Sequence, residues 1–126
     1  MLGTSALIGF VATTQPERAK TFYRDVLGLR LMSDEEFALV FDANGTMLRI
    51  AKVDELRPSS RTVIGWSVDN IESAVRGLGS RGVQFERYDG LKQDDLGIWA
   101  TDGGRIAWFK DPDGNVLSLT MFGSGL

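Results

Sequence analysis

The sequence predicts an α+β fold: two βαβββ repeats whose strands form one curved, cup-like mixed sheet. Three observations predict it. The turn in Phe41-Asp-Ala-Asn-Gly-Thr-Met-Leu-Arg-Ile returns in Phe109-Lys-Asp-Pro-Asp-Gly-Asn-Val-Leu-Ser-Leu, pairing Asp42 with Asp111, Gly45 with Gly114, Leu48 with Leu117 and Arg49 with Ser118. Ile8-Gly9-Phe10 is echoed by Ile64-Gly65-Trp66, and each is followed by a helix-cap spacing and an apolar helix face. A unit of one helix and four strands has an apolar sheet face that it cannot cover alone, so two units are expected to pair about a pseudo-twofold axis around a shared cleft.

Taken in order, Ala6 to Thr13 is apolar and β-branched and reads as a strand. Thr14-Gln-Pro-Glu17 has capping-box spacing with Pro in the first turn, where a missing N–H costs little. Ala19, Phe22, Tyr23, Val26 and Leu27 then form one helix face, and Gly28 stops it. Leu29 to Met32 is the next strand, Ser33 to Glu36 a polar turn, and Phe37–Phe41 with Thr46–Val53 a hairpin across Ala43-Asn44-Gly45.

Asp54 to Arg61 reads as a linker between modules at about 6–53 and 63–122 of a single 126-residue domain. Val63 to Val68 is expected as a strand, and Asp69-Asn-Ile-Glu72 repeats the cap spacing ahead of a helix face of Ile71, Ala74, Val75 and Leu78. Gly77 and Gly79 weaken that helix by roughly 1 kcal/mol each, so it should end by Gly82. Val83 to Tyr88 reads as a strand, and Asp89 to Asp95 as the longest loop and a candidate lid. Leu96–Thr101 and Ile106–Lys110 form a hairpin over Asp102-Gly103-Gly104, and Val116 to Met121 closes the repeat.

Composition narrows the chemistry. A net charge of −3 with scattered Lys and Arg argues against nucleic acid or an anionic membrane as partner. The lack of cysteine removes disulfides, thiolate nucleophiles and zinc ribbons; with no signal-like or spanning segment, a cytoplasmic protein is expected. The lack of histidine removes the usual base near neutral pH and the commonest nitrogen ligand for transition metals.

The first-helix stretch Glu17-Arg-Ala-Lys-Thr-Phe-Tyr-Arg-Asp-Val-Leu-Gly-Leu and the last turn Phe109-Lys-Asp-Pro-Asp-Gly-Asn resemble those of the vicinal oxygen chelate superfamily. That family holds glyoxalase I, extradiol dioxygenases, fosfomycin-resistance and bleomycin-binding proteins, and the resemblance runs from Ala6 to Phe122. It implies four metal-ligand positions, held by His or Glu in the metal enzymes. Here they fall on Ile8, on Val63 or Ile64, on Arg49 and on Ser118. Two aliphatics, a fixed cation and a neutral hydroxyl cannot hold a divalent cation, so glyoxalase and dioxygenase chemistry is not expected, and no cofactor is implied.

What survives is a cup with an apolar floor. Arg49 points into it by strand alternation and could fork onto a ligand carboxylate or phosphate, or pair with an acid at the rim. Phe10, Trp66, Trp99 and Trp108 could stack on a planar ligand or pack in the core; the parity of Trp66 depends on the alignment chosen. Ser118 could donate to a ligand oxygen but has no base to activate it. Tyr88, Asp94 and Asp95 border the long loop, and Asp-Pro-Asp-Gly is read as turn chemistry and not as a calcium loop.

These residues support a metal-free protein that sequesters an apolar or aromatic small molecule, a homodimer by resemblance. An alternative is a lyase- or dioxygenase-type enzyme working without a metal at the usual site, through Arg49 and a carboxylate. A scaffold domain with a filled cleft is a third reading.

Overall fold

The computed structural model describes residues 1–123. Two compact units divide the chain between Pro58 and Ser59, inside the linker expected from sequence.

In the first unit, β1 (Ile8–Thr13) is followed by α1 (Pro16–Thr21), a π-helical turn over Phe22–Val26, β2 (Arg30–Asp34), β3 (Ala38–Ala43) and β4 (Thr46–Lys52). The sheet order is β1-β4-β3-β2, with β1 parallel to β4 and the other pairs antiparallel. The β3–β4 turn has the positive φ angles of a tight hairpin, Asn44 at 52° and Gly45 at 93°, and the Asp42 carboxylate accepts the Gly45 N–H at 3.0 Å. Gly28, with φ 78°, ends the helical segment as expected.

The first helix is capped one residue later than the Thr14 spacing predicts. Gln15 occupies the cap without a side-chain cap bond, and its own N–H donates instead to Thr13 Oγ1 at 3.0 Å. The first helix also changes character at Phe22, where the Leu27 N–H reaches back five residues to the Phe22 carbonyl at 2.9 Å. On that widened turn Tyr23 is fully buried, its ring 5.9 Å from that of Phe41. Val11, Leu39, Phe41, Leu48 and Ile50 complete this side of the sheet, all buried. The same side carries a clasp in which Asp34 accepts from Lys20 of α1 and from Lys52 of β4, both at 2.6 Å.

The second unit runs β5 (Thr62–Ser67), α2 (Ile71–Gly79), β6 (Trp99–Thr101), β7 (Gly104–Lys110) and β8 (Val116–Phe122), ordered β5-β8-β7-β6. Asn70 caps α2 by accepting the Ser73 N–H at 3.0 Å, one residue later than the spacing suggested. Buried Ile71 and Val75 lay the helix on β7 and β8, against a side that holds Ala107, Phe109, Leu117 and Leu119.

Val83 to Tyr88 is not a strand. It makes one isolated bridge, Phe85 to Phe109, with the Glu86 N–H donating to the Trp108 carbonyl at 2.8 Å, and the Glu86 carbonyl and Tyr88 N–H go to a side chain. Gln93 accepts the Tyr88 N–H at 2.8 Å and donates to the carbonyls of Glu86 and Gly97, both at 2.9 Å. Asp94 accepts the N–H groups of Leu96 and Ile98, both at 2.9 Å, which holds Leu96 to Ile98 out of the hairpin and shortens β6 to its last three residues. Removing 83–88 leaves one helix and four strands, the same βαβββ order as the first unit. The 89–95 loop, a candidate lid by sequence, is thus laced by the Gln93 and Asp94 side chains.

Candidate functional site

Strand register decides which predicted residues share a face, because residues paired across a ladder project to the same side of the sheet. In the first unit the side opposite α1 is the open one. There Phe10 pairs with Arg49 and Arg49 with Val40, while Ile8 pairs with Met47. Phe10 is 64% exposed, Ile8 44% and Met47 42%, so this face presents apolar side chains around one guanidinium.

Arg49 is not alone. Its Nη2 donates to Glu35 Oε1 at 3.2 Å, and Glu35 Oε2 accepts from Ser33 Oγ at 2.8 Å. The Ser33 hydroxyl and then the Arg49 guanidinium hold the Glu35 carboxyl below its ordinary value. That shift makes Glu35 a weaker base, the reverse of what proton abstraction near neutral pH requires. Glu35 was missed from sequence; the only signal was an acid in the polar turn leading into the strand beside β4.

In the second unit, Trp108 pairs with Ser118, Ser118 with Gly65, and Trp99 with Ile106, which puts Trp99, Trp108 and Ser118 together on the side opposite α2. The Trp99 and Trp108 rings lie 6.1 Å apart at 31°, and Tyr88 meets Trp108 edge-on at 5.4 Å and 85°. Burial first, and then the nearby Glu86 carboxylate, raises the Tyr88 phenol, against a smaller opposing effect of Lys110, so it stays protonated at neutral pH and can donate. A Cβ at Gly65 would collide with Ser118 Oγ, so the glycine is what allows Ser118 to turn toward this face.

Trp66 does not join them. It pairs with Leu119 on the α2 side, because the β5–β8 register shifts between Thr62 and Ile64. The same shift breaks the Ile-Gly-aromatic correspondence: Phe10 projects with Arg49, whereas Trp66 projects away from Ser118. Asp94 also lies on the α2 side, 3.9 Å from Arg105, which is bound to Glu72 of α2. Asp95 lines two grooves of about 250 and 270 Å3 beside α2, together with Arg76 and Leu96. Neither loop acid therefore stands on the Trp108 face.

By register, Phe10 and Gly65 stand directly beside Arg49 and Ser118 on the first strands, and the counted ligand positions, Ile8 and Val63 or Ile64, lie one or two residues earlier in the chain. Neither set offers a metal donor. Among the described residues no three His, Cys, Asp or Glu side chains converge on a point that could hold a metal ion. The carboxylate of Asp111 is spent on the turn, accepting from the N–H groups of Asp113 and Asn115 at 2.9 and 3.0 Å, as turn chemistry predicts.

Residues 7–119, which span both βαβββ modules, match as a sequence profile the Glyoxalase/Bleomycin resistance protein/Dioxygenase superfamily. The chain belongs to that superfamily. Among solved structures, TnmS3, an antibiotic binding protein from Streptomyces sp. CB03234, is 28% identical with a TM-score of 0.75, over 98% of this chain and 99% of its own. A glyoxalase/bleomycin resistance protein from the same Streptomyces is 29% identical with a TM-score of 0.68, over 93% and 100%. A glyoxalase family protein from Bacillus anthracis shares the fold at 18% identity and a TM-score of 0.75, over 95% and 96%. No curated protein matches the chain. This member of the superfamily lacks the metal-ligand side chains of its metal enzymes, and no helix among its described residues is long and apolar enough to cross a membrane.

Proposed function

We propose that this protein is a metal-free small-molecule-binding member of the superfamily, which sequesters an apolar or aromatic ligand on its open sheet faces. The observation that carries the reading is the aromatic wall of the second sheet, Trp99, Trp108 and Tyr88 beside Ser118. An aromatic cluster with a few hydrogen-bonding groups is what a planar ligand needs: area to bury and one or two polar contacts for orientation. TnmS3, whose name describes an antibiotic-binding protein, gives independent support for binding in place of catalysis. The exposed apolar side chains of Ile8, Phe10 and Met47 extend the reading to the first sheet, and a homodimer belongs to the same proposal by family likeness.

The test is a titration with 2-naphthamide, a neutral planar aromatic, followed by tryptophan fluorescence and by recovery of the probe. Saturable quenching, weakened about tenfold or more in Trp108→Ala, is expected with the probe recovered chemically unchanged. Conversion of the probe to a product would replace binding with catalysis.

A further inference from the structure

On the open face of the first sheet, Glu35 is fastened more firmly than a surface acid usually is. Its backbone N–H donates to the Ala38 carbonyl at 2.8 Å and its carbonyl accepts from Lys52 Nζ at 2.6 Å. One carboxylate oxygen takes the Ser33 hydroxyl and the other the Arg49 guanidinium. The carboxylate is thereby set in place before any ligand arrives, and the ordering entropy that usually weakens an exposed pair is already spent.

We infer that Glu35 sets the charge class of the ligand: by holding a carboxylate against Arg49, it makes this apolar face select an uncharged ligand bearing a hydrogen-bond acceptor over a carboxylate. The inference rests on the binding reading above and deepens it. A ligand carboxylate brought to Arg49 would meet the guanidinium and the Glu35 carboxylate together, and attraction and repulsion of similar size largely cancel. Removing the ligand's own water shell is then uncompensated, and the cost rises as the ligand covers the pair. Arg30 and Asp42, also on this face, are of opposite sign and stand directly across from each other on β2 and β3, so as a pair they add no net charge.

An uncharged acceptor faces no such conflict. Arg49 has five N–H donors, and its described partners are Glu35 and a long contact from Nη1 to the Met47 sulfur at 4.0 Å. Donors therefore remain for a carbonyl or amide oxygen, with Phe10, Ile8 and Met47 alongside to take the apolar body. Specificity of this kind comes from a built-in repulsive element as much as from an attractive one.

The experiment compares 2-naphthamide with 2-naphthoate, the same shape with and without charge, on wild type, Glu35→Gln and Arg49→Met, at neutral pH and low salt. Wild type should prefer the amide by about tenfold or more; Glu35→Gln should tighten naphthoate until the preference is lost or reversed. Arg49→Met should move naphthoate the other way, weakening it further. Equal or tighter binding of naphthoate by wild type, or an unchanged ratio in Glu35→Gln with wild-type thermal stability, overturns the inference while leaving the binding reading intact. Failure of both probes to bind wild type removes the binding reading, and the inference with it.

Discussion

At the scale of single residues, Arg49 and Ser118 occupy matching strand positions and have opposite surroundings. Arg49 works against a fixed carboxylate, while Ser118 stands between Trp108 and a glycine on its neighbouring strands. Gly65→Ala should destabilise the protein by about 1 to 2 kcal/mol through overpacking against Ser118, and Ser118→Ala should recover a good part of that loss in the double variant. Chemical denaturation of the four proteins measures the coupling; strictly additive losses would mean that the two residues do not crowd each other. Turn residues were legible in the sequence because their demands are local, as with Asn44 and Gly45 at positive φ. Glu35 was not, because its importance comes from Arg49, fourteen positions away along the chain.

At the scale of elements, the first helix is tied to its sheet by the buried Tyr23–Phe41 contact and by the clasp of Asp34 on Lys20 and Lys52. Phe41→Ala should cost about 3 to 5 kcal/mol, as large-to-small changes at fully buried aromatic sites do. The clasp predicts a pH effect. Bonds from Lys20 and then Lys52 hold the Asp34 carboxyl below its ordinary value, so it binds fewer protons folded than unfolded near that value. Its stabilisation is therefore present above the unfolded value, near pH 4, and is lost as the pH falls through the lower folded value. Acid titration of stability should show a shallower acid limb in Asp34→Asn than in wild type; an identical limb would remove Asp34 from the account. Strands and helices with clean periodicity were readable at this scale. Val83 to Tyr88 reads as a strand from its apolar residues, but past the Phe85–Phe109 bridge Gln93 takes up backbone groups that a neighbouring strand would otherwise pair. Trp66 was undecidable for another reason: a one-residue shift at the edge strand β5 reverses which face a side chain takes, and no local pattern encodes it.

For the whole molecule, the repeat of turn, helix and strand motifs carried the fold class, since two copies of one pattern in the same order constrain architecture far more than either alone. The superfamily does not by itself name a chemistry, because one fold serves many sites. Function was legible only as a subtraction: positions that hold His or Glu in metal enzymes hold side chains without a usable donor set. The open faces then became assignable only once register had sorted Trp99 and Trp108 from Trp66. The proposed homodimer is checked by light scattering at micromolar concentration, where twice the 13.8 kDa chain mass is expected and the chain mass alone would count against it.

Binding without a metal is decided by calorimetric titration of chelator-treated protein with 2-naphthamide. Saturable binding is expected that chelation and re-addition of Zn, Ni, Fe or Mn leave unchanged, and that Trp108→Ala weakens about tenfold or more. Binding that disappears on chelation and returns with a stoichiometric metal would contradict it.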